Sequence, residues 1–307
     1  MKSENLSENR EIVNKYRQLL RVSKWSREKG DVTIIRKAFE KAMESHSQMR
    51  RKSGEPYIYH PIAVARIAAE EIGLGTTSIV CALLHDVVED TDVTLKEIRD
   101  EFGDKEANII DGLTKISGVY DTHSPQAENF RKMLLTMAND VRVILIKLCD
   151  RLHNMRTLEH MSDKGQLKIA SETNFIYAPL AHRLGLYAIK TELEDLSLKY
   201  TQPALYQDLK HQLNATKDQR KRYIRSFIKP IKLELEELGI KYEIKGRPKS
   251  IYSIYSKMIA KKLEFEDVYD LFAIRVILDS EPEDEKMDCW NVYSVITSIF
   301  KPNPERL

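Results

Sequence analysis

Ala82-Leu83-Leu84-His85-Asp86-Val87-Val88-Glu89-Asp90 is the stretch on which the reading of this chain turns. An imidazole and a carboxylate stand side by side at the end of an apolar helical run, and two more carboxylates follow one helical turn later. Ionisable groups set this densely among aliphatic neighbours are unfavourable to bury unless something pairs with them. A divalent cation is the usual partner, because it neutralises carboxylates that desolvation would otherwise disfavour.

Outward from this run, the first two-thirds of the chain reads as nearly all helix. Asp31 can cap a helix whose apolar stripe is Ile34, Ile35, Ala38, Phe39, Ala42 and Met43. Arg50-Arg51-Lys52-Ser53-Gly54-Glu55-Pro56 breaks that helix as a basic loop. His60-Pro61 then opens a helix through Ala63, Val64, Ile67 and Ala68 that ends near Gly73 and Gly75. Thr94-Leu95-Lys96-Glu97 is a capping box for a helix that stops at Gly103. Ser124-Pro125 reads as an N-cap followed by proline at the first helical position. Val141, Ile144, Leu145, Leu148, Leu152 and Met155 recur with helical period. Val141 to Ile146 alone would suit a strand, but the period continues for several turns.

The texture changes after Gly239. Ile240 to Lys245 alternates like a strand, Ser250 to Leu263 reads as an amphipathic helix, and Asp270 to Leu278 is a β-rich run of buried-strand type. Strand, helix, strand is the start of an α/β domain. Too few elements follow to complete a sheet domain, so the chain is expected to be a fragment or to carry a second domain cut short. Tyr187 to Leu238 is helical and highly charged, without a Gly/Ser tether. The fold class is thus a mainly α N-terminal domain (1–186), a helical bridge (187–238), and the start of an α/β domain (239–307).

Composition bounds the function. The chain has 307 residues, 42% apolar and 31% charged, and a net charge of only +2. That is enough for two cores, and it offers no overall field for nucleic acid. The basic run Lys217 to Arg222 reads as a solvated helix face. Cys81, Cys149 and Cys289 are too few and scattered for a disulfide framework, and read as buried reduced thiols of a cytoplasmic protein. The polar N-terminus is no signal peptide, and no apolar run reaches membrane-spanning length.

Four groups from three separate helices can be assembled into one site: His60, the His85-Asp86 pair and Asp150. Two imidazoles and two carboxylates suit Mn²⁺, Fe²⁺ or Zn²⁺, and the lack of cysteine argues against structural zinc. Asp150, Asn154 and Thr157 fall at i, i+4 and i+7, on one helix face. Glu89 and Asp90 are placed to act as general acid and base or to hold an attacking water. Lone histidines are ordinarily surface or satisfied core residues, and His46, His123, His160, His182 and His211 are read that way. Spacing alone leaves a metal site and a satisfied polar core as alternatives.

These residues carry a resemblance. The pattern is similar to the HD superfamily of metal-dependent phosphohydrolases, and more narrowly it resembles the RelA/SpoT homologue family, the enzymes that make and degrade (p)ppGpp. The carrying segments are Arg51 to Tyr57 with His60-Pro61, His85-Asp86 with Glu89-Asp90-Thr91, and Lys147 to Leu158. Ala181 to Gly185, Ile189 to Leu196, Gly246 to Tyr255 and Tyr269 to Arg275 extend it. The resemblance implies that His60, His85, Asp86 and Asp150 bind the hydrolase metal, usually Mn²⁺, and that Glu89 and Asp90 drive hydrolysis. It implies that Arg51, Lys52, Asn154 and Thr157 contact a guanine nucleotide. The implied reaction removes the 3′-pyrophosphate of ppGpp or pppGpp to give GDP or GTP.

For the C-terminal part the resemblance implies a nucleotidyltransferase-like synthetase that moves pyrophosphate from ATP to GDP or GTP. Arg247, Lys249 and Lys257 match its phosphate-contacting residues, and Asp270 its Mg²⁺-binding aspartate. The family's substrate-stacking tyrosine and second catalytic glutamate are expected beyond Leu307, so synthesis is expected only of a longer protein. Contact with the ribosome, through a regulatory C-terminal region, is likewise expected only there. Two other readings stand beside this one: an HD phosphohydrolase of another nucleotide, and a module that binds the alarmone without turning it over.

Overall fold

The computed structural model describes residues 2–114, 140–268 and 271–301, and most of them are helical. Helices α1 (Lys2–Val22), α2 (Asp31–Ser45), α3 (Tyr59–Ile67), α4 (Thr76–Leu84), α5 (Val87–Asp90), α6 (Leu95–Phe102) and α7 (Asp104–Leu113) come first. After residue 140 follow α8 (Arg142–Arg156), α9 (Asp163–Glu172), α10 (Ala178–Arg183) and α11 (Tyr187–Thr201). Next come α12 (Pro203–Ala215), α13 (Lys217–Glu237), β1 (Tyr242–Pro248), α14 (Ile251–Lys261), β2 (Phe272–Leu278) and α15 (Glu285–Ile299). Contacts divide the chain into two units, Met1–Thr201 and Gln202–Leu307.

In the first unit α4 is the central rod. It is apolar all round, and every residue from Ser78 to Leu84 is buried, as a helix with no polar face requires. Helices α2 and α3 pack on it, and α8 packs on α3, α4, α7 and α11. Helix α8 buries Val143, Ile144, Ile146, Leu148, Cys149, Leu152 and Met155. Its helical period holds and the strand alternative for Val141 to Ile146 falls, although Val141 itself is exposed just before the first turn. The Thr94 capping box is present with both reciprocal hydrogen bonds.

Local details depart from the sequence reading. Gly30, at φ 101°, caps α2 in place of Asp31. The Asp31 carboxylate is engaged elsewhere, accepting from the Glu28 amide at 2.8 Å and the Thr76 hydroxyl at 2.6 Å. Met43 lies on the solvent side of α2 and is exposed. Helix α3 continues as a π-helical turn, Ala68–Ile72, before Gly73 stops it in the left-handed region. A second π segment, Thr173–Tyr177, joins α9 to α10.

In the second unit β1 and β2 pair antiparallel, with Tyr242 opposite Leu278 and Pro248 opposite Phe272. Helix α14, N-capped by the Ser250 hydroxyl, lies between them in sequence. The β2 run is not a fully buried strand: its residues alternate between half-buried and exposed, as one-sided packing of a two-stranded sheet dictates. Leu209, Leu213, Ile254, Phe265 and Val268 form one small core, and Ile231, Leu235 and Val292 another. Cys81 and Cys149 are buried as expected, whereas Cys289 is exposed on α15. Ser124-Pro125 and Asp270 lie outside the described residues. No helix among the described residues is long and apolar enough to cross a membrane.

Because Leu83 is fully buried in α4, Leu83→Ala is expected to destabilise the first unit by about 2–5 kcal/mol. Urea unfolding followed by circular dichroism measures this, and a loss below 1 kcal/mol would show that α4 is not the packed centre.

Candidate metal centre and nucleotide cavity

Two helix termini and one helix face deliver the polar groups. His60 stands in the first turn of α3, His85 and Asp86 follow the last turn of α4, and Asp150 lies on α8. Each is fixed by apolar neighbours on the opposite side of its own helix, so the polar groups converge while the aliphatic residues form the core. His60, His85 and Asp86 offer ligand atoms that all lie within 4.8 Å of one another. Asp150 Oδ1 stands 3.3 Å from His60 Nε2 and 3.9 Å from His85 Nε2. Both imidazoles are 2% exposed, too deep for water to satisfy them.

The state of His85 tests whether a cation fits. Its Nδ1 lies 2.9 Å from the Ala82 carbonyl, which can only accept, so Nδ1 carries a proton. Its Nε2 is buried without a hydrogen-bond partner and lies 3.1 Å from Asp86 Oδ2. A ring lone pair facing two carboxylates is unfavourable unless a proton or a metal ion stands between them. The donor set, two imidazoles and two carboxylates, suits a divalent cation of the Mn²⁺, Fe²⁺ or Zn²⁺ type.

Without a cation, protons do part of that work. Burial opposes charging His85, but Asp86 and Asp150 outweigh it and carry its pKa up to about 8. Burial likewise opposes ionisation of both carboxylates, yet Asp86 is held down by His85, and Asp150 by Lys147 and His60. His60 is pushed down by burial against the pull of Asp150.

Several neighbours escaped the sequence reading. The Tyr57 hydroxyl lies 2.8 Å from Oδ2 of both Asp86 and Asp90, and its single proton serves one carboxylate at a time. Burial, with those two acids nearby, raises its pKa. Lys147 Nζ is 3.5 Å from Asp150 Oδ2 and gives the buried acid a cation. His153 Nδ1 is 2.8 Å from His60 Nδ1. Burial, then His60 and Arg51, depress the His153 pKa to about 3, so that ring is neutral. Lys147 and His153 sit three residues either side of Asp150, so the helical spacing that singled out Asn154 could have found them.

The centre forms part of the wall of a cavity of ≈ 970 Å³. All its lining residues belong to the first unit. Glu89, Asp90, Arg51, Lys52, Asn154 and Thr157 also line it. Arg51 Nη2 donates to Asn154 Oδ1 at 3.1 Å and to the Thr157 hydroxyl at 3.2 Å, while Asn154 Nδ2 donates to Asp150 Oδ1 at 2.6 Å. A continuous hydrogen-bonded chain thus runs from Asp150 to the basic loop. In the second unit, Arg247 stands in β1 opposite Ala273, and the Lys249 amide donates to the Leu271 carbonyl at 2.9 Å. Lys257 lies on α14.

The helical unit and its His/Asp centre define an HD-domain protein, and the family model described as an HD domain matches residues 38–187. A second model, a region found in RelA and SpoT proteins, matches residues 246–307. The chain belongs to the RelA/SpoT homologue family. It is 45% identical over 281 residues to a GTP pyrophosphokinase of Myxococcus xanthus, covering 90% of this chain and 36% of the relative. It is 44% identical over 271 residues to a guanosine-3′,5′-bis(diphosphate) 3′-pyrophosphohydrolase of Aquifex aeolicus, covering 88% and 38%. With the bifunctional (p)ppGpp synthase/hydrolase SpoT of Escherichia coli the identity is 42% over 275 residues, covering 89% and 38%. The chain spans little more than a third of the length of these relatives.

The shift of His85 sets a pH dependence for the metal-free protein. A folded pKa raised from 6.5 to about 8 gives stability that is fully present below pH 6.5 and is lost as pH rises through 8. The depressed carboxylates titrate below that window, and the depressed His60 and His153 offset only part of the loss, near pH 6.5, where the unfolded chain still protonates them. Chelator-treated protein is therefore expected to lose on the order of 2 kcal/mol between pH 6.5 and 9. Urea unfolding across that range measures it, and His85→Gln should flatten the slope.

Proposed function

We propose that the first unit hydrolyses the 3′-pyrophosphate of ppGpp and pppGpp, releasing GDP or GTP and pyrophosphate. The observation that carries this reading is the buried, unpartnered His85 Nε2 facing Asp86 and Asp150 in the wall of a cavity that Glu89 and Asp90 also line. His60, His85, Asp86 and Asp150 are the proposed ligands, and Mn²⁺ is the proposed ion. A divalent cation held there would polarise a phosphoryl oxygen and offset the charge that develops in the transition state.

The protein's own groups do the rest. Glu89 and Asp90 orient a water and take its proton as its oxygen attacks the phosphorus bonded to the ribose 3′-oxygen. The phosphorus–oxygen bond to the ribose breaks, and the departing 3′-oxygen takes up a proton from the same acidic pair. Tyr57, within hydrogen-bond distance of Asp90, limits the directions in which that carboxylate can point. Arg51 offers a planar cation that can stack on a purine or fork onto phosphate, already oriented by Asn154 and Thr157. Lys52, exposed on the loop, adds a second positive charge for the nucleotide.

Residues 239–307, within the second unit, are proposed to be the beginning of a synthetase. Arg247, Lys249 and Lys257 would contact ATP and guanine-nucleotide phosphates, and Asp270 would bind Mg²⁺, in the longer protein. The proposed division is hydrolase 1–186, bridge 187–238 and partial synthetase 239–307, in a protein of the cytoplasm.

Pyrophosphate release from ppGpp, with and without Mn²⁺, tests the hydrolase. Release is expected only with the ion and is expected to vanish in Asp86→Ala. Glu89→Gln and Asp90→Asn should each lower kcat by about 10²–10⁴-fold. Tight Mn²⁺-dependent binding of ppGpp with no turnover would replace the hydrolase by a binding module. Arg51→Lys keeps the charge but loses the fork, and is expected to raise KM about tenfold; an unchanged KM would remove Arg51 from the nucleotide contacts.

A further inference from the structure

The two imidazoles of the centre are held in different ways. His85 Nδ1 faces the Ala82 carbonyl, a group that can only accept, so its tautomer is fixed by the backbone. His60 Nδ1 faces Nδ1 of His153 at 2.8 Å, with the ring centroids 4.9 Å apart. Two ring nitrogens at that separation share one proton: one ring donates and the other accepts. On its other side His60 Nε2 lies 3.3 Å from Asp150 Oδ1 and 3.5 Å from Asp86 Oδ2. The carboxylates draw the His60 proton towards Nε2, where it would block a metal ion. A ring lone pair on His153 draws it towards Nδ1, where it leaves Nε2 free.

We propose that His153 is the positioning residue that selects the metal-binding tautomer of His60. It accepts the His60 Nδ1 proton on its own Nδ1 and carries its own proton on Nε2, towards the cavity that it lines. The His60 Nε2 lone pair then points at Asp86 and Asp150 beside that of His85. The mirror arrangement, with His153 donating to His60 Nδ1, keeps the same 2.8 Å contact but puts the His60 proton on Nε2, and a cation held by Nε2 would exclude it. Outer partners of this kind fix ring orientation and tautomer in metal sites, and their loss commonly weakens metal binding about 10–100-fold. His153 stands three residues after Asp150 on α8, so one helix supplies both a proposed ligand and the group that prepares another. The proposal rests on the reading of His60 as a metal ligand.

Mn²⁺ titrated calorimetrically into the whole chain tests it, with wild type compared with His153→Phe and His153→Gln. His153→Phe fills the space and removes the acceptor, and should weaken Mn²⁺ binding about 10–100-fold. His153→Gln restores an acceptor oxygen and should recover most of that loss. In parallel, imidazole ¹⁵N shifts of the metal-free proteins should show His60 protonated at Nδ1 in the wild type and at Nε2 in His153→Phe. Wild-type affinity in His153→Phe, or a His60 tautomer indifferent to residue 153, would overturn the proposal. Equal weakening by Phe and Gln with an unchanged tautomer would also overturn it, since it would mean that His153 only fills space. If the wild type takes up no Mn²⁺ at all, the metal-centred hydrolase fails, and the ¹⁵N shifts still decide the role of His153.

Discussion

The first unit depends on one electrostatic constraint: Asp86, Asp150, His60 and His85 are brought out of water to a single point. The carboxylates stay ionised there only because positive charge is supplied from several sides, by Lys147 on the same helix, by a proton on His85 in the metal-free protein, or by a divalent cation. The rest of the unit serves that convergence. Helix α4 is apolar all round, so it cannot slide towards solvent, and the residues at its end are held at a fixed depth. Helix α8 buries one aliphatic face and presents Asp150, His153, Asn154 and Thr157 from the other.

The same constraint accounts for the polar neighbours. A buried carboxylate has several lone pairs to satisfy, and each unsatisfied one is unfavourable. Asp150 meets this demand with Asn154 and Lys147, and Asp86 with Tyr57. Those partners in turn reach Arg51 and Asp90. The proposed chemistry and the proposed nucleotide contacts are therefore extensions of one hydrogen-bonded network.

Much of this was legible in the sequence, and the reasons differ by element. Helices α4 and α8 announce themselves by unbroken apolar period, and the Thr94 box by local capping chemistry that needs no tertiary partner. Asp31 misled because its carboxylate found a partner in Thr76, 45 residues away, which no local pattern reveals. Strand β2 read as fully buried because composition does not say how many layers will cover a sheet. The four residues of the centre could be grouped because each stands at a motif boundary. Lys147 and His153 were within reach of the same helical spacing, three residues either side of Asp150, whereas Tyr57 meets Asp86 and Asp90 from 29 and 33 residues away in the chain and only assembled geometry shows it.

The π segment Thr173–Tyr177 bears on how this unit tolerates change in chain length. A π turn carries one residue more than the α-helix around it. Shortening the chain by that residue would leave a continuous, fully hydrogen-bonded helix, yet would rotate everything on one side of it by about 100° relative to the other. Tyr177, whose ring lies 4.1 Å from the Arg151 guanidinium, would turn away from it. The surplus residue costs regularity in one helix, and it keeps the cavity wall in phase with α8. A one-residue deletion there would be silent in helix content and disruptive to the floor beneath Arg151.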